Sequence, residues 1–165
     1  MALTTEELVA SLQNEVRILL HLASKIDRNK LDYRPTPKQR STIELMRYLS
    51  LMGPGLVTAI KTGTFDGEAW GVKTAEAAKK NLDAILADIE AHSAFFAKEL
   101  PGIDFSTEME LFGRKFSKGY HTVNLVLSGY AAYRTQLFLY LKACGREELT
   151  TANLWGGMDA PPAQS

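Results

Sequence analysis

Catalytic chemistry in a small protein rests mostly on histidine, cysteine, paired carboxylates or a glycine-rich phosphate loop, and this chain is sparing with all of them. It holds three histidines and one cysteine in 165 residues. His21, His92 and His121 lie far apart in sequence. None takes part in an H-x-x-x-H or H-E-x-x-H step, which sets two imidazoles on one helical face where they can share a cation. Cys144 falls where a helix is expected to end. The dipole there is negative and raises a thiol pKa, which argues against a nucleophile. A lone cysteine also excludes a disulfide framework and any Cys-based zinc cluster. The carboxylate neighbours Glu6/Glu7, Glu108/Glu110 and Glu147/Glu148 sit in polar segments and read as solvated charge rather than as an acid–base pair. No G-x-S-x-G, no G-x-x-x-x-G-K-[ST] and no post-strand G-x-G-x-x-G is present. Gly53-Pro54-Gly55 reads as a helix disruptor, not as a phosphate cradle.

The elements that must position these residues are helical. Thr4 and Glu7 form a capping-box pattern. After it Leu8, Leu12, Val16, Leu19, Ala23 and Ile26 recur at steps of three and four, the stripe of an amphipathic helix over about 5–27. His21 shares a polar side of this helix with Asn14, Arg17 and Lys25 and is expected at the surface. Pro35 and Pro37 make residues 32–38 an extended loop. Ser41 and Glu44 form a second capping box, opening a helix striped by Ile43, Met46, Leu49, Val57 and Ile60. Pro54 removes an N–H inside it and predicts a kink or break. Residues 61–71, with three glycines, read as a loop. Thr74 is the expected cap of a third helix striped by Ala78, Leu82, Ile85, Ile89, His92 and Phe96. On that stripe His92 is either a hydrogen-bonded core residue or a pocket liner. Residues 103–117 read as a packed loop or short hairpin. Ser117 caps a fourth helix over about 118–143, stopped by Gly145. This helix is apolar nearly all round, so it is expected to be central or shared with a second subunit. Arg134 interrupts it and needs a carboxylate partner, Glu44 being one option. Residues 156–165 are Gly/Pro-rich and read as loose. Four long helices without convincing strands predict an all-α four-helix bundle in a single domain over 1–165, with about 146–165 as a C-terminal extension.

Bulk properties exclude several function classes. Lys plus Arg and Asp plus Glu are each 19. The chain therefore has no overall field to attract nucleic acid, and no basic stripe is evident. No apolar run is long enough to span a bilayer. The opening residues lack the pattern of a leader, and together with the lone cysteine this predicts a cytoplasmic protein.

Two stretches carry a resemblance. One is Leu31-Asp32-Tyr33-Arg34-Pro35-Thr36-Pro37 leading into Ser41-Thr42-Ile43-Glu44-Leu45-Met46-Arg47-Tyr48-Leu49. The other runs from Tyr133-Arg134-Thr135-Gln136 through Tyr140 to Cys144-Gly145. In order, spacing and helical placement the pair resembles the DinB-like (YfiT-like, damage-inducible-type) family of four-helix-bundle metalloenzymes, over about residues 5–145. The resemblance implies a metal held by one histidine from the second helix and two, four residues apart, from the last. Carried across, those positions are Tyr48, Gly129 and Tyr133. Two phenols and a bare backbone make poor ligands for zinc or nickel. The expectation is a bundle with no metal and no cofactor, whose Tyr48 and Tyr133 rings fill the vacated space. His121, two turns before Gly129, is expected at the mouth of that cavity, and His92 is a further candidate pocket liner. The functional expectation is a small-ligand-binding or interaction protein, homodimeric through the last helix and the Trp155 region. It binds neither nucleic acid nor membrane. The alternative is a thiol-dependent transferase-like or hydrolase-like metalloenzyme, as some relatives of that family are.

Overall fold

The computed structural model describes residues 3–162. Helix α1 (Thr5–Ala23) starts on the expected capping box: Thr4 Oγ1 accepts from the Glu7 N–H at 3.1 Å, and Glu7 returns a carboxylate to the Thr4 N–H at 2.7 Å. Its stripe is buried from Leu8 to Ala23. A buried leucine of this kind contributes about 1.5–3 kcal/mol. Helix α2 (Thr42–Thr62) begins on the Ser41/Glu44 box. The preceding loop is stitched to its first turn, where Thr42 N–H donates to Tyr33 C=O at 2.9 Å and Ile43 N–H to Leu31 C=O at 3.0 Å. Two of the N–H groups that a helix start leaves open are thereby satisfied.

Beyond this point the helix boundaries depart from expectation in three places. First, α2 is not broken by Gly53-Pro54-Gly55. Proline at 54 leaves the Ser50 carbonyl, four residues back, without its helical donor. His92 Nε2, from another helix, sits 2.9 Å from that oxygen. A Cβ on Gly53 would overlap the Tyr130 hydroxyl, and one on Gly55 would lie 2.6 Å from the Trp70 ring. The glycines are there to let two aromatic side chains approach the backbone, and the helix survives because its lost bond is replaced. Second, the expected loop over 61–71 contains the start of a helix, α3 (Gly67–Ala77), capped by Asp66, whose carboxylate accepts from the Ala69 N–H at 2.9 Å. Third, Thr74 lies inside α3 and caps nothing. The third bundle helix starts at Asn81, as α4 (Leu82–Glu90) followed by α5 (His92–Glu99).

Residues 103–117 form the hairpin option: β1 (Glu108–Leu111) pairs antiparallel with β2 (Arg114–Ser117), Glu108 opposite Ser117 and Leu111 opposite Arg114. The two-residue turn places Phe112 at φ 52° and Gly113 at φ 73°. This is the left-handed pair that matches strand twist, with a bulky ring where asparagine or aspartate usually sits. Ser117 then caps a helical stretch close to the expected one. It comprises α6 (Lys118–His121), a wider π-helical stretch over Thr122–Leu127 and α7 (Ser128–Ala143), ending before Gly145 at φ 101°.

Helices α1, α2, α4–α5 and α6–α7 pack around one core. Buried Arg134 is paired with Glu15 of α1, not with Glu44, and also donates to Leu154 C=O. Glu44 instead meets Arg34 at 3.2 Å. The segment after α7 is tied down as far as Asp159. Arg17 donates to the Gly156 and Gly157 carbonyls, Asn153 Nδ2 donates to His21 Nε2 at 3.0 Å, and Lys25 meets Asp159 at 2.7 Å. His21 is thus half-buried beneath this segment rather than free at the surface. The looseness expected of 163–165 falls outside the described residues.

Candidate functional site

The two sequence stretches that carry the resemblance pack against each other. Tyr33 and Tyr140 meet edge to face with centroids 5.4 Å apart. The Tyr140 hydroxyl donates to Arg40 C=O at 2.7 Å and accepts from Gln136 Nε2 at 2.7 Å. This clamp fixes the 33–40 loop on α7, and so sets where Arg34 and Arg40 stand relative to α2.

Beside the clamp, α2 and α7 open a cleft of about 430 Å³. Tyr48 and Tyr133 line it with their rings edge to face at 5.0 Å, and Gly129 forms part of the wall. The side-chain space that Gly129 leaves is taken by Met52, whose sulphur lies 2.9 Å from where a Cβ would be. Burial first, and then the neighbouring Tyr133 hydroxyl, push the Tyr48 phenol up to about 12, against the pull of Arg40. Tyr48 is therefore a neutral donor at any physiological pH. The remaining wall comes from α3, the residues just before it and the hairpin turn. Trp70 of α3 packs against Tyr48 at 6.2 Å, Phe65 against Trp70 at 5.6 Å, and Phe112 of the hairpin turn against Phe65 at 5.2 Å. A chain of aromatic rings thus runs from Tyr133 to the hairpin tip. The signals that could have located Trp70 were Asp66, an N-cap residue hidden among glycines, and Gly55, a gap in α2 that only a large neighbour explains.

His121, expected at the cavity mouth, lies outside it, and of the two places open to His92, core or pocket wall, the structure takes the core. His92 is in the core, with Nε2 on Ser50 C=O and Nδ1 2.6 Å from the Tyr130 hydroxyl. With Nε2 donating, Nδ1 can only accept, so the Tyr130 hydroxyl donates. This relay stays neutral, since burial drives His92 down to about 4 despite the opposing Ser50 bond and Asp88, and raises the Tyr130 phenol. His121 is buried behind the hairpin, its Nε2 3.3 Å from Met109 C=O and its ring against Phe116 and Tyr120. Among the described residues no three His, Cys, Asp or Glu side chains gather into a group that could hold a metal ion. Burial raises the thiol of Cys144 at the end of α7. Among the described residues no helix is long and apolar enough to cross a membrane.

A solved structure decides the fold. The chain superposes on the crystal structure of YjoA, a DinB-like protein from Bacillus subtilis, with a TM-score of 0.66 over 87% of this chain and 94% of that one. The fold is DinB-like. Sequence identity across the pair is 18%, so the DinB-like architecture is shared while the side chains have diverged widely. No protein-family model matches the chain, and no curated protein matches it. In DinB-like terms, α1, α2, α4–α5 and α6–α7 supply the bundle, and the cleft between α2 and α7 is where Tyr48, Gly129 and Tyr133 meet.

Proposed function

We propose that this DinB-like chain is a small-molecule-binding protein whose cleft at Tyr48, Gly129 and Tyr133 takes an organic ligand rather than a metal ion. The observation that carries this reading is the donor set. Where α2 and α7 face each other stand two phenols, one pushed up to about 12, and a glycine whose space is filled by Met52. A neutral phenol is a weak ligand for zinc or nickel, and a thioether favours soft monovalent ions. The same walls suit an apolar or aromatic guest, because they are largely hydrophobic with two hydroxyls to orient it. The reading extends to a homodimer. Trp155 is 71% exposed and Leu139 of α7 59% exposed, large apolar side chains of the kind that a second copy covers.

The test is elemental analysis of untagged protein together with an NMR screen of neutral aromatic fragments. The expected result is sub-stoichiometric metal and fragment-induced shifts at Tyr48, Trp70 and Tyr133. One equivalent of zinc or nickel, removable by chelator, would restore the metalloenzyme reading. A screen in which those three residues never move would end the binding reading.

A further inference from the structure

Resting on that reading, we infer that the ligand is a small organic anion, a flat apolar body bearing a carboxylate or similar oxyanion. Its charged end is held by Lys38 and Arg40 and its body lies against Trp70.

The cleft does not end at Tyr48. On the far side of the Tyr48–Trp70 pair a second opening of about 490 Å³ shares both rings as its wall. Its rim carries Arg34, Lys38, Arg40 and Arg47 against a single carboxylate, Glu44. In a chain whose formal net charge is zero, that is a local excess of one sign. The four cations are not equally committed. Arg34 is held by Glu44 and by Gln39 C=O, and Arg47 gives Nε and Nη2 to Lys80 C=O. Arg40 stands over the Tyr48 ring, its guanidinium carbon 4.1 Å from the centroid. Such a cation–π contact engages the charge without consuming the N–H donors of the guanidinium. Among the described residues neither Lys38 nor Arg40 has a carboxylate within ion-pair distance. Two cations are therefore left uncompensated over an apolar floor, at a point fixed by the Tyr140–Arg40 clamp. An oxyanion accepts from the Arg40 fork in the geometry that guanidinium favours, and the adjoining aromatic wall excludes water from one side of the pair. A neutral guest gains the wall but not the fork.

The experiment compares 2-naphthoate with its neutral isostere 2-naphthamide, titrated by NMR against the full chain. The wild type is set beside a Lys38→Gln/Arg40→Gln double variant, and a Lys115→Gln variant on the hairpin is the control. Both substituted rim side chains are exposed, so the fold is retained, and the amide spectrum of each variant verifies this. The expected result is that naphthoate binds roughly tenfold tighter than naphthamide at low salt. The Trp70 indole resonance shifts, the difference shrinks with added salt, and it disappears in the double variant but not in Lys115→Gln. Equal affinities for the two probes, or a naphthoate preference that survives the double variant, overturn the anion assignment while leaving a binding cleft in place. Naphthoate that fails to shift Trp70 also overturns it. The cleft reading itself stands or falls separately, on the neutral-fragment screen.

Discussion

Acid should weaken this protein through one ring more than any other. His92 is buried between Ser50 C=O and the Tyr130 hydroxyl, and its folded pKa lies at about 4 against an ordinary 6.5. Between those two values the unfolded chain carries a proton on this imidazole that the folded chain refuses. Lowering the pH therefore draws the equilibrium toward the unfolded state. Above pH 6.5 the ring is neutral in both states and contributes no slope; below about pH 4 the full difference has been lost. At about 1.4 kcal/mol per tenfold change in proton affinity, that difference is about 3 kcal/mol, most of it already expressed at about pH 4.5. Set against the 5–15 kcal/mol typical of a domain, it is a large fraction. The assay is urea unfolding at pH 7.5 and 4.5 for the wild type and for His92→Gln, whose amide can still donate to Ser50 but does not titrate. The carboxylates whose pKa values are lowered by partners, among them Glu44 and Asp159, titrate in both proteins and drop out of the comparison. The wild type should lose about 2.5 kcal/mol more than the variant over this interval. Parallel losses, or an imidazole resonance titrating near 6.5 in the folded protein, would refute the reasoning.

Three further outcomes are expected. Gly53→Ala should destabilise by about 1–3 kcal/mol, because its methyl collides with the Tyr130 hydroxyl, and adding Tyr130→Phe should recover part of the loss; additive losses in a thermal melt would count against the close approach. Glu15→Gln should cost about 3–5 kcal/mol by stranding the buried Arg134 guanidinium, read by chemical unfolding, whereas Glu44→Gln should cost under about 1 kcal/mol because its partner Arg34 is exposed. Light scattering should give twice the chain mass, and Trp155→Ser/Leu139→Ser should return the monomer; a mass equal to one chain at all concentrations ends the dimer proposal.

Features set by neighbouring residues were legible in the sequence. The capping boxes at Thr4 and Ser41, the cap at Ser117 and the stop at Gly145 all stand where side-chain spacing put them. Each is decided within four residues. Features decided by remote partners were not legible. Gly53-Pro54-Gly55 spells helix disruption locally, and only the presence of Tyr130, His92 and Trp70 in space turns the same residues into a continuous helix. Arg134 announced the need for an acid, yet choosing Glu15 over Glu44 requires knowing that α1 faces α7 at that height. In the cleft, Tyr48, Gly129 and Tyr133 were reachable through the resemblance to the DinB-like family, whose site positions fall on them; no pattern in the residues themselves marks them. Phe65, Trp70 and Phe112 were not, because glycine at 67 and 71 masks α3 and because a phenylalanine in a left-handed turn runs against residue preference.

The borrowed hydrogen bond at Ser50 also bears on how the molecule assembles. A peptide of residues 42–62 on its own would have a hydrogen-bond gap at its midpoint, with only water to fill it and two glycines alongside to increase the entropy of the coil. The donor that closes this gap arrives from a segment some forty positions away, as His92 docks. Completion of α2 is therefore expected to be coupled to the arrival of α5. Amide exchange near the middle of α2 should accordingly report on rupture of the whole bundle, not on fraying of a single rod.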